Sequence, residues 1–290
     1  MTDGAQTDGV LITRAGDVLR IMLTRPDRRN AITPEMLSAM ISALEHATCD
    51  DELRAIALTA EGDHFCAGMD LAASNRASRD GSVSSPPHGR VAGQEPAGGD
   101  RRPRLTARHR AIDGGPHRLI ELILSVEVPV VALVRGTAAG LGCALALAAD
   151  AAVVSDTARF TVPYVRRGFT PDSGTTYLLA RLAGLARARE MLLLGGSVDA
   201  AQAEAWGLVT RVSPDADADV RHAELVDELR AGPTVAIGLT KWLLNQGAIE
   251  GLQAAMRRES LVVDLSIRTM DFKEGVAAFL DKRPPSFEGR

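Results

Sequence analysis

Aromatic residues and cysteines are scarce in this chain of 290 residues. Phe, Trp and Tyr make up only 3% of it, so stacked aromatic platforms for nucleic-acid bases are not expected. The three cysteines, Cys49, Cys66 and Cys143, are odd in number and lack metal-ligand spacing. A disulfide framework or a metal site is therefore not expected, and a reducing compartment fits this cysteine content.

Long apolar runs and a charge excess are also lacking. No apolar run approaches the ~18 residues that a membrane-spanning helix needs, and the first ten residues do not resemble a secretion signal. The 33 basic and 37 acidic side chains leave a net charge of -4, which does not attract nucleic acid or acidic membranes. We therefore expect a cytoplasmic protein without membrane insertion and without a nucleic-acid partner.

Strand and helix patterns alternate along the first 200 residues. Residues 10–13 and 18–24 predict a β-hairpin, and Thr33-Pro34-Glu35 predicts the start of a helix that extends to about residue 47. Further strands are predicted at residues 54–59, 128–134 and 151–155. This order indicates a layered α/β domain, whereas helical patterns dominate after residue 200.

Between residues 74 and 115 the composition changes to Ser, Gly, Pro and Arg, with eight arginines against four acids. This composition predicts a long mobile insertion. Its arginines leave two interpretations open: a disordered surface loop, or a lid that orders over an anionic ligand.

Two glycine-centred turns follow predicted strands. The first contains Gly68 and the second contains Gly140, which leads directly into a helix of small residues. Glycines allow tight turns whose backbone N–H groups point outward, and a helix N-terminus adds partial positive charge. Two such turns that face each other would bind an oxyanion.

The segments around these turns resemble the crotonase, or enoyl-CoA hydratase/isomerase, superfamily. The resemblance is found at residues 23–31, 65–71, 129–143, 158–160, 168–175 and 203–209. It implies a spiral of ββα units (residues 1–212) and a C-terminal α-helical trimerisation region (residues 213–290). It also implies an acyl-CoA substrate in fatty acid metabolism, a trimer or dimer of trimers, and no cofactor apart from the coenzyme A of the substrate.

Site residues follow from the same resemblance. It implies that the backbone N–H groups of Met69 and Leu141 form an oxyanion hole that stabilises a thioester enolate. The residues that it assigns to coenzyme A binding, with the last two in the tail of a neighbouring subunit, are Arg28, Arg29, Ala67, Met69, Asp70, Leu71, Phe279 and Lys282.

The chain departs from the hydratase pattern at two positions. Hydratases of this superfamily use two glutamates on a water molecule, and Ala144 and Tyr164 stand in their places. Addition of water needs a group that activates the water and a group that delivers a proton. By the resemblance, isomerases of the superfamily have an aspartate at the position of Asp172, so we expect an isomerase in which Asp172 alone moves a proton between carbon atoms. Tyr164 either forms a wall of the pocket or orients the substrate through its hydroxyl.

Three alternatives remain open. One is a hydratase with an atypical site, in which Asp172 holds the water. Another is an aryl-CoA dehalogenase or hydrolase, in which Asp172 is the nucleophile and His117 is the base. The third is an acyl-CoA binding protein without catalytic activity.

Overall fold

A computed structural model describes residues 4–73, 107–247 and 251–290 of the chain. The strands are β1 (Gly4–Thr7), β2 (Val10–Ala15), β3 (Val18–Leu23), β4 (Ala55–Ala60), β5 (Val130–Val134), β6 (Thr137–Ala139), β7 (Ala151–Ser155), β8 (Arg159–Thr161), β9 (Ser197–Asp199) and β10 (Arg211–Ser213). The α-helices are α1 (Pro34–Ala47), α2 (Ala107–Ile112), α3 (Arg118–Ser125), α4 (Leu141–Ala148), α5 (Thr175–Leu194), α6 (Ala200–Ala205), α7 (Ala218–Arg230), α8 (Thr234–Gly247), α9 (Leu252–Ser266) and α10 (Met270–Asp281). This arrangement confirms the predicted α/β class and the helical C-terminal region.

The strands form two sheets. The larger has the order β1-β2-β3-β4-β5-β7-β10, and the smaller has the order β6-β8-β9. In the larger sheet β1, β2 and β3 are antiparallel, and the strands from β3 to β10 are parallel. Parallel strands end at one edge of the sheet, where α/β proteins bind their ligands. The first glycine turn lies in the segment after β4, and the second follows β6, the short strand that comes directly after β5.

Local sequence signals explain the first elements. The predicted hairpin is confirmed as β2 and β3, joined at Gly16 and Asp17 with Gly16 at φ +64°. The predicted helix is confirmed as α1, in which the Thr33 side chain accepts a hydrogen bond of 3.3 Å from the amide of Met36. Its buried face consists of Met36, Leu37, Met40, Ile41, Leu44 and Ala47.

The larger sheet is covered on both faces. Side chains such as Ile56 and Leu58 belong to the core that includes α1, α3 and α4. The alternate residues, such as Ala57 and Val131, contact α7 through Leu225 and its neighbours. Because α7 packs on the sheet, the layered core continues past residue 212 at this face; the division of the chain at residues 212 and 213 stays a prediction.

The end of the predicted insertion is helical and not a loop. Residues 107–112 form α2, and Asp113–His117 form a π-helical turn in which Gly115 and Pro116 are buried. A Cβ atom on Gly115 would lie 3.1 Å from Leu37, so this turn packs directly on α1. Packing between residues as far apart in the sequence as Gly115 and Leu37 cannot be deduced from composition. Residues 74–106 lie outside the described residues.

Helices α8, α9 and α10 follow α7. The Lys241 ammonium of α8 is 2.7 Å from an oxygen of Asp150 and donates to Val128 O at 3.2 Å, which joins α8 to the sheet. Large apolar side chains of α9 and α10 are exposed, for example Leu261 and Phe279. Self-association through this region stays a prediction. Among the helices described, none combines the length and the hydropathy that crossing a bilayer requires.

Candidate active site

The first glycine turn follows β4. Gly68 has φ +95°, and its carbonyl oxygen accepts from Ile32 N at 2.8 Å, while Asp70 N donates to Ile32 O at 2.8 Å. These two bonds hold the residues on either side of Met69. The Met69 amide itself has no hydrogen-bond acceptor within the described ranges.

The second glycine turn leads into α4. Gly140 has φ +54°, its amide donates to Thr161 O at 3.0 Å, and its carbonyl accepts from Ala144 N at 3.0 Å. Leu141 is the first residue of α4, so its N–H lacks an acceptor within the helix. This amide lies at the positive end of the helix dipole.

Backbone bonds bring the two turns together. Cys66 N donates to Thr137 O at 2.9 Å, and Ala139 N donates to Cys66 O at 2.8 Å. A Cβ atom on Gly68 would lie 2.8 Å from Ala139 O and 3.5 Å from Leu141 N. Only glycine permits this approach. The structure therefore places the segments of Met69 and Leu141 side by side, while their role as oxyanion donors stays a prediction.

The cysteines beside these turns are not nucleophiles. Cys66 and Cys143 are fully buried, and burial raises the pKa of each thiol to about 12. Both side chains stay protonated near neutral pH, and a thiol reacts as its thiolate. Cys66 packs against Gly142, where an added Cβ atom would lie 2.7 Å from the Cys66 Cβ atom.

An ion pair supports the first turn. The Arg25 guanidinium is 3.3 Å from an oxygen of Asp70 and donates to Ala31 O at 2.6 Å. The hydrogen bond from Ala73 N and the charge of Arg25 hold the pKa of the Asp70 carboxyl below its usual value, against an opposing effect of burial. Asp70 thus stays ionised next to Met69.

Asn30 is a supporting residue that was not selected from the sequence, although it lies in the matching segment 23–31. Its side chain is fully buried, accepts from Arg25 N at 2.7 Å and donates to Glu61 O and His64 O at 2.9 and 2.7 Å. The acceptors come from the loop after β4, and only the folded chain brings them to Asn30. The His64 ring adds a link between the turns, because its Nδ1 accepts from Thr137 N at 3.2 Å.

Asp172 lies in the turn before α5, and its side chain is half-buried. The Ser173 hydroxyl donates to the Asp172 carboxylate at 2.9 Å. The Thr175 amide and hydroxyl both donate to the Asp172 carbonyl oxygen, at 3.0 and 2.7 Å. These bonds fix the turn that presents the carboxylate. Sequence reasoning selected Asp172 but missed Thr175, which resembles an ordinary first residue of a helix.

Tyr164 connects Asp172 with the second glycine turn. Its hydroxyl is 3.2 Å from the Thr175 hydroxyl, and a Cβ atom on Gly140 would lie 3.7 Å from it. Burial raises the pKa of the Tyr164 phenol well above its usual value, and the negative charge of Asp172 raises it further. The phenol therefore stays protonated. Its ring packs edge to face on Phe169, with centroids 5.5 Å apart.

The positions expected to hold glutamates in a hydratase contain no carboxylate. Ala144 is completely buried in α4, and Tyr164 is 3% exposed. Asp172 is thus the carboxylate that the structure associates with Tyr164.

His117 ends the π-helical turn before α3. Its Nδ1 is 3.9 Å from a carboxylate oxygen of Asp113 in the same turn. Nothing in the part of the chain that the structure describes joins His117 to Asp172 by a hydrogen bond or ion pair. Among the described contacts, Asp113 is thus the polar neighbour of the His117 ring, and Asp172 is not.

Two of the segments predicted to bind coenzyme A adjoin each other. Arg28 and Arg29 are exposed, and Arg29 O accepts from Ala67 N at 2.9 Å. Leu71, just beyond the first glycine turn, is also exposed. Phe279 is 83% exposed, and Lys282, the residue that follows α10, is exposed as well, so both are available for contacts outside their own chain. The binding role of these residues stays a prediction.

Comparison with known proteins gives a consistent result. A family model described as enoyl-CoA hydratase/isomerase matches residues 13–87 and 97–290. The 1,2-epoxyphenylacetyl-CoA isomerase of Escherichia coli is 32% identical over 273 residues, covering 94% of this chain and 95% of that protein. The 4-chlorobenzoyl coenzyme A dehalogenase-2 of Arthrobacter is 31% identical, covering 94% of this chain and 91% of that protein. A solved enoyl-CoA hydratase from Polaromonas has a TM-score of 0.82 and 30% identity, covering 96% of this chain and 99% of the other.

Proposed function

The chain belongs to the enoyl-CoA hydratase/isomerase family, and from this premise we propose that it isomerises an enoyl-CoA thioester through an enolate, with Asp172 as the residue that transfers the proton. Membership confirms the predicted resemblance to the crotonase superfamily and an acyl-CoA substrate class. The reaction itself is our proposal.

The observation that carries the proposal is the placement of one carboxylate. Asp172 is held by Ser173 and Thr175 beside the Tyr164 hydroxyl, which itself lies against Gly140. Ala144 and Tyr164 offer no second carboxylate for the activation of water. An isomerase needs only one group that accepts a proton at one carbon and returns it at another.

The proposed mechanism has two proton transfers. The thioester oxygen of a 3-enoyl-CoA accepts hydrogen bonds from Met69 N–H and Leu141 N–H. The Asp172 carboxylate removes a proton from the α-carbon, and the C–H electron pair moves into a dienolate whose negative charge rests on that oxygen. The protonated Asp172 then returns a proton to the γ-carbon, and the double bond moves into conjugation. Each backbone donor contributes ~3 kcal/mol to stabilisation of the enolate.

Binding of the substrate uses exposed positive charge. In this proposal the phosphates of coenzyme A contact Arg28 and Arg29, and its pantetheine arm passes the backbone of residues 67–71. Phe279 and Lys282 reach the site of a neighbouring subunit, so that a trimer or a dimer of trimers is the active form. No cofactor takes part in the proposed reaction. The enzyme acts in the cytoplasm on coenzyme A thioesters of fatty acids or related acids.

The relatives are named for isomerases, hydratases and dehalogenases, so the proposal of isomerisation depends on the residues of the site. The Escherichia coli relative is named an isomerase of a phenylacetyl-CoA derivative, so an acyl group with a ring is one candidate substrate. Dehalogenation needs a base beside Asp172, whereas His117 pairs with Asp113. Hydration would depend on water held by Asp172 alone.

Replacement of Asp172 by Asn tests the proposal. We expect Asp172→Asn to lower kcat for a 3-enoyl-CoA by at least ~100-fold, because the amide cannot accept the proton. The dissociation constant for the thioester, measured by calorimetry, should change by less than about threefold. Asp51→Asn, at an exposed position, is the matched control. Unchanged turnover in Asp172→Asn would refute the proposal.

A further inference from the structure

The Thr175 hydroxyl lies between two groups of the candidate site. Thr175 is completely buried at the start of α5. Its Oγ1 is 2.7 Å from the Asp172 carbonyl oxygen and 3.2 Å from the Tyr164 hydroxyl oxygen. A buried hydroxyl with two polar neighbours at these distances has defined hydrogen-bond roles, because it carries a single proton.

The direction of these bonds follows from counting protons. A carbonyl oxygen can only accept, so the Thr175 proton is donated to the Asp172 carbonyl. Thr175 Oγ1 can then only accept from Tyr164, and the Tyr164 phenol is the donor of the 3.2 Å bond. Burial and the charge of Asp172 both raise the pKa of this phenol, so it keeps its proton. In the structure Tyr164 thus directs its proton toward Thr175, and the Asp172 carboxylate is near enough for its charge to affect the phenol.

We propose that Thr175 is a positioning residue for proton transfer by Asp172. Its hydroxyl holds the Tyr164 hydroxyl near the carboxylate. It accepts a hydrogen bond from the phenol whenever Asp172 carries the proton of the substrate. When Asp172 is ionised, the Tyr164 hydroxyl donates to the carboxylate instead. The phenol and threonine protons stay on their own oxygens, and only the phenol O–H rotates. This inference rests on the proposed isomerase function.

The arrangement lowers the free energy that is needed to convert Asp172 from the ionised carboxylate to the protonated carboxyl group. A hydroxyl donor stabilises an ionised carboxylate in a half-buried site more strongly than it stabilises a protonated carboxyl group. A second acceptor allows the same hydroxyl to leave the carboxyl without becoming an unsatisfied buried donor. Thr175 is suited to this task because its own proton is already used by the Asp172 carbonyl.

The first test compares two replacements of Thr175. Thr175→Val keeps the shape and the amide bond to the Asp172 carbonyl, but it removes the hydroxyl as acceptor from Tyr164 and as second donor to that carbonyl. We expect kcat to fall about tenfold, as for loss of one hydrogen bond, with KM within about twofold. Thr175→Ser keeps the hydroxyl and should retain kcat within about threefold. Thr176→Val removes an exposed hydroxyl at the next position and should match the wild-type enzyme.

A double-variant experiment separates positioning from a structural role. Tyr164→Phe should itself lower kcat about tenfold, and adding Thr175→Val to it should change kcat by less than about twofold, because Thr175 acts through the missing hydroxyl. If the kcat losses of the two single variants multiply in the double variant, the inference is overturned. Wild-type kcat in Thr175→Val would overturn it as well. If Thr175→Val does not fold, Thr175→Ala in both backgrounds decides by the same criteria.

The two proposals fail in distinguishable ways. A wild-type enzyme that isomerises 3-enoyl-CoA while Thr175→Val keeps full kcat refutes the role of Thr175 alone. A wild-type enzyme without isomerase turnover refutes the proposed function, and the role of Thr175 falls with it.

Discussion

The Cα atom of Gly68 faces the amide nitrogen of Leu141, and a Cβ atom on Gly68 would lie 3.5 Å from that nitrogen. This relationship joins the turn after β4 to the start of α4. Any side chain at position 68 would enter the space beside the two amides expected to bind the thioester oxygen. The backbone, and not a polar side chain, therefore defines this part of the site.

Gly68→Ala should damage catalysis more than stability. The new Cβ atom would lie 2.8 Å from Ala139 O, so the first turn must shift and the Met69 amide with it. We expect kcat for a 3-enoyl-CoA to fall ~100-fold, as for loss of one oxyanion donor. Gly16→Ala is the matched control: Gly16 also has positive φ, but nothing lies within 4 Å of its added Cβ. Comparable kcat in both variants would contradict the assigned role of the first turn.

His117→Ala should leave isomerisation intact. The described polar neighbour of the imidazole is Asp113 at 3.9 Å, and no bond to Asp172 is found in residues 107–247. We expect kcat and KM for a 3-enoyl-CoA to stay within about twofold of wild type. Turnover of 4-chlorobenzoyl-CoA, measured by chloride release, is expected to be absent from both proteins. Chloride release that depends on His117 would favour the dehalogenase alternative.

Lys241→Met should destabilise the fold. The Lys241 ammonium and the Asp150 carboxylate are 2.7 Å apart with side chains 6% and 24% exposed, and Val130 N donates to the same oxygen of Asp150. Removal of the cation leaves a carboxylate without its charge partner, which costs ~3 kcal/mol of unfolding free energy. Urea denaturation at pH 7 measures this loss, and Lys273→Met at an exposed position is the control.

The loss in Lys241→Met should depend on pH. Burial raises the pKa of the Asp150 carboxyl, and the charge of Lys241 opposes this effect in the wild-type chain. An acid with a higher pKa in the folded state binds a proton more tightly there, so stability falls as pH rises from the unfolded value of about 4 toward the folded value. The destabilisation should therefore be smaller at pH 4.5 than at pH 7. An equal loss at both values would show that Asp150 is not the group responsible.

Local sequence signals predicted much of the fold. The hairpin of β2 and β3 and the helix α1 follow from short-range turn and capping chemistry, and the structure contains both. β1 was not predicted, because residues 4–7 carry no alternating apolar pattern and form a strand through backbone pairing with β2. The packing of residues 113–117 on α1 was also missed, since it depends on Leu37, which lies far away in the sequence.

The candidate site was predictable to a different extent for each residue type. Met69, Leu141 and Asp172 could be selected because the resemblance to the superfamily implies roles for their positions, and glycines mark the turns of the first two. Asn30 acts through Glu61 O and His64 O, which only the fold brings to it, and Thr175 joins the local Asp172 carbonyl to the more distant Tyr164 hydroxyl. Neither residue was selected, because these longer-range contacts are set by the fold.

The most direct test of the central claim is incubation of the purified protein with a 3-enoyl-CoA in deuterated water. Mass spectrometry and absorbance then follow the product. The account predicts a conjugated 2-enoyl-CoA with no added water and at most one deuterium per turnover, because Asp172 alone moves the proton. A product that has gained the mass of water, or tight binding of the thioester without conversion, would contradict it.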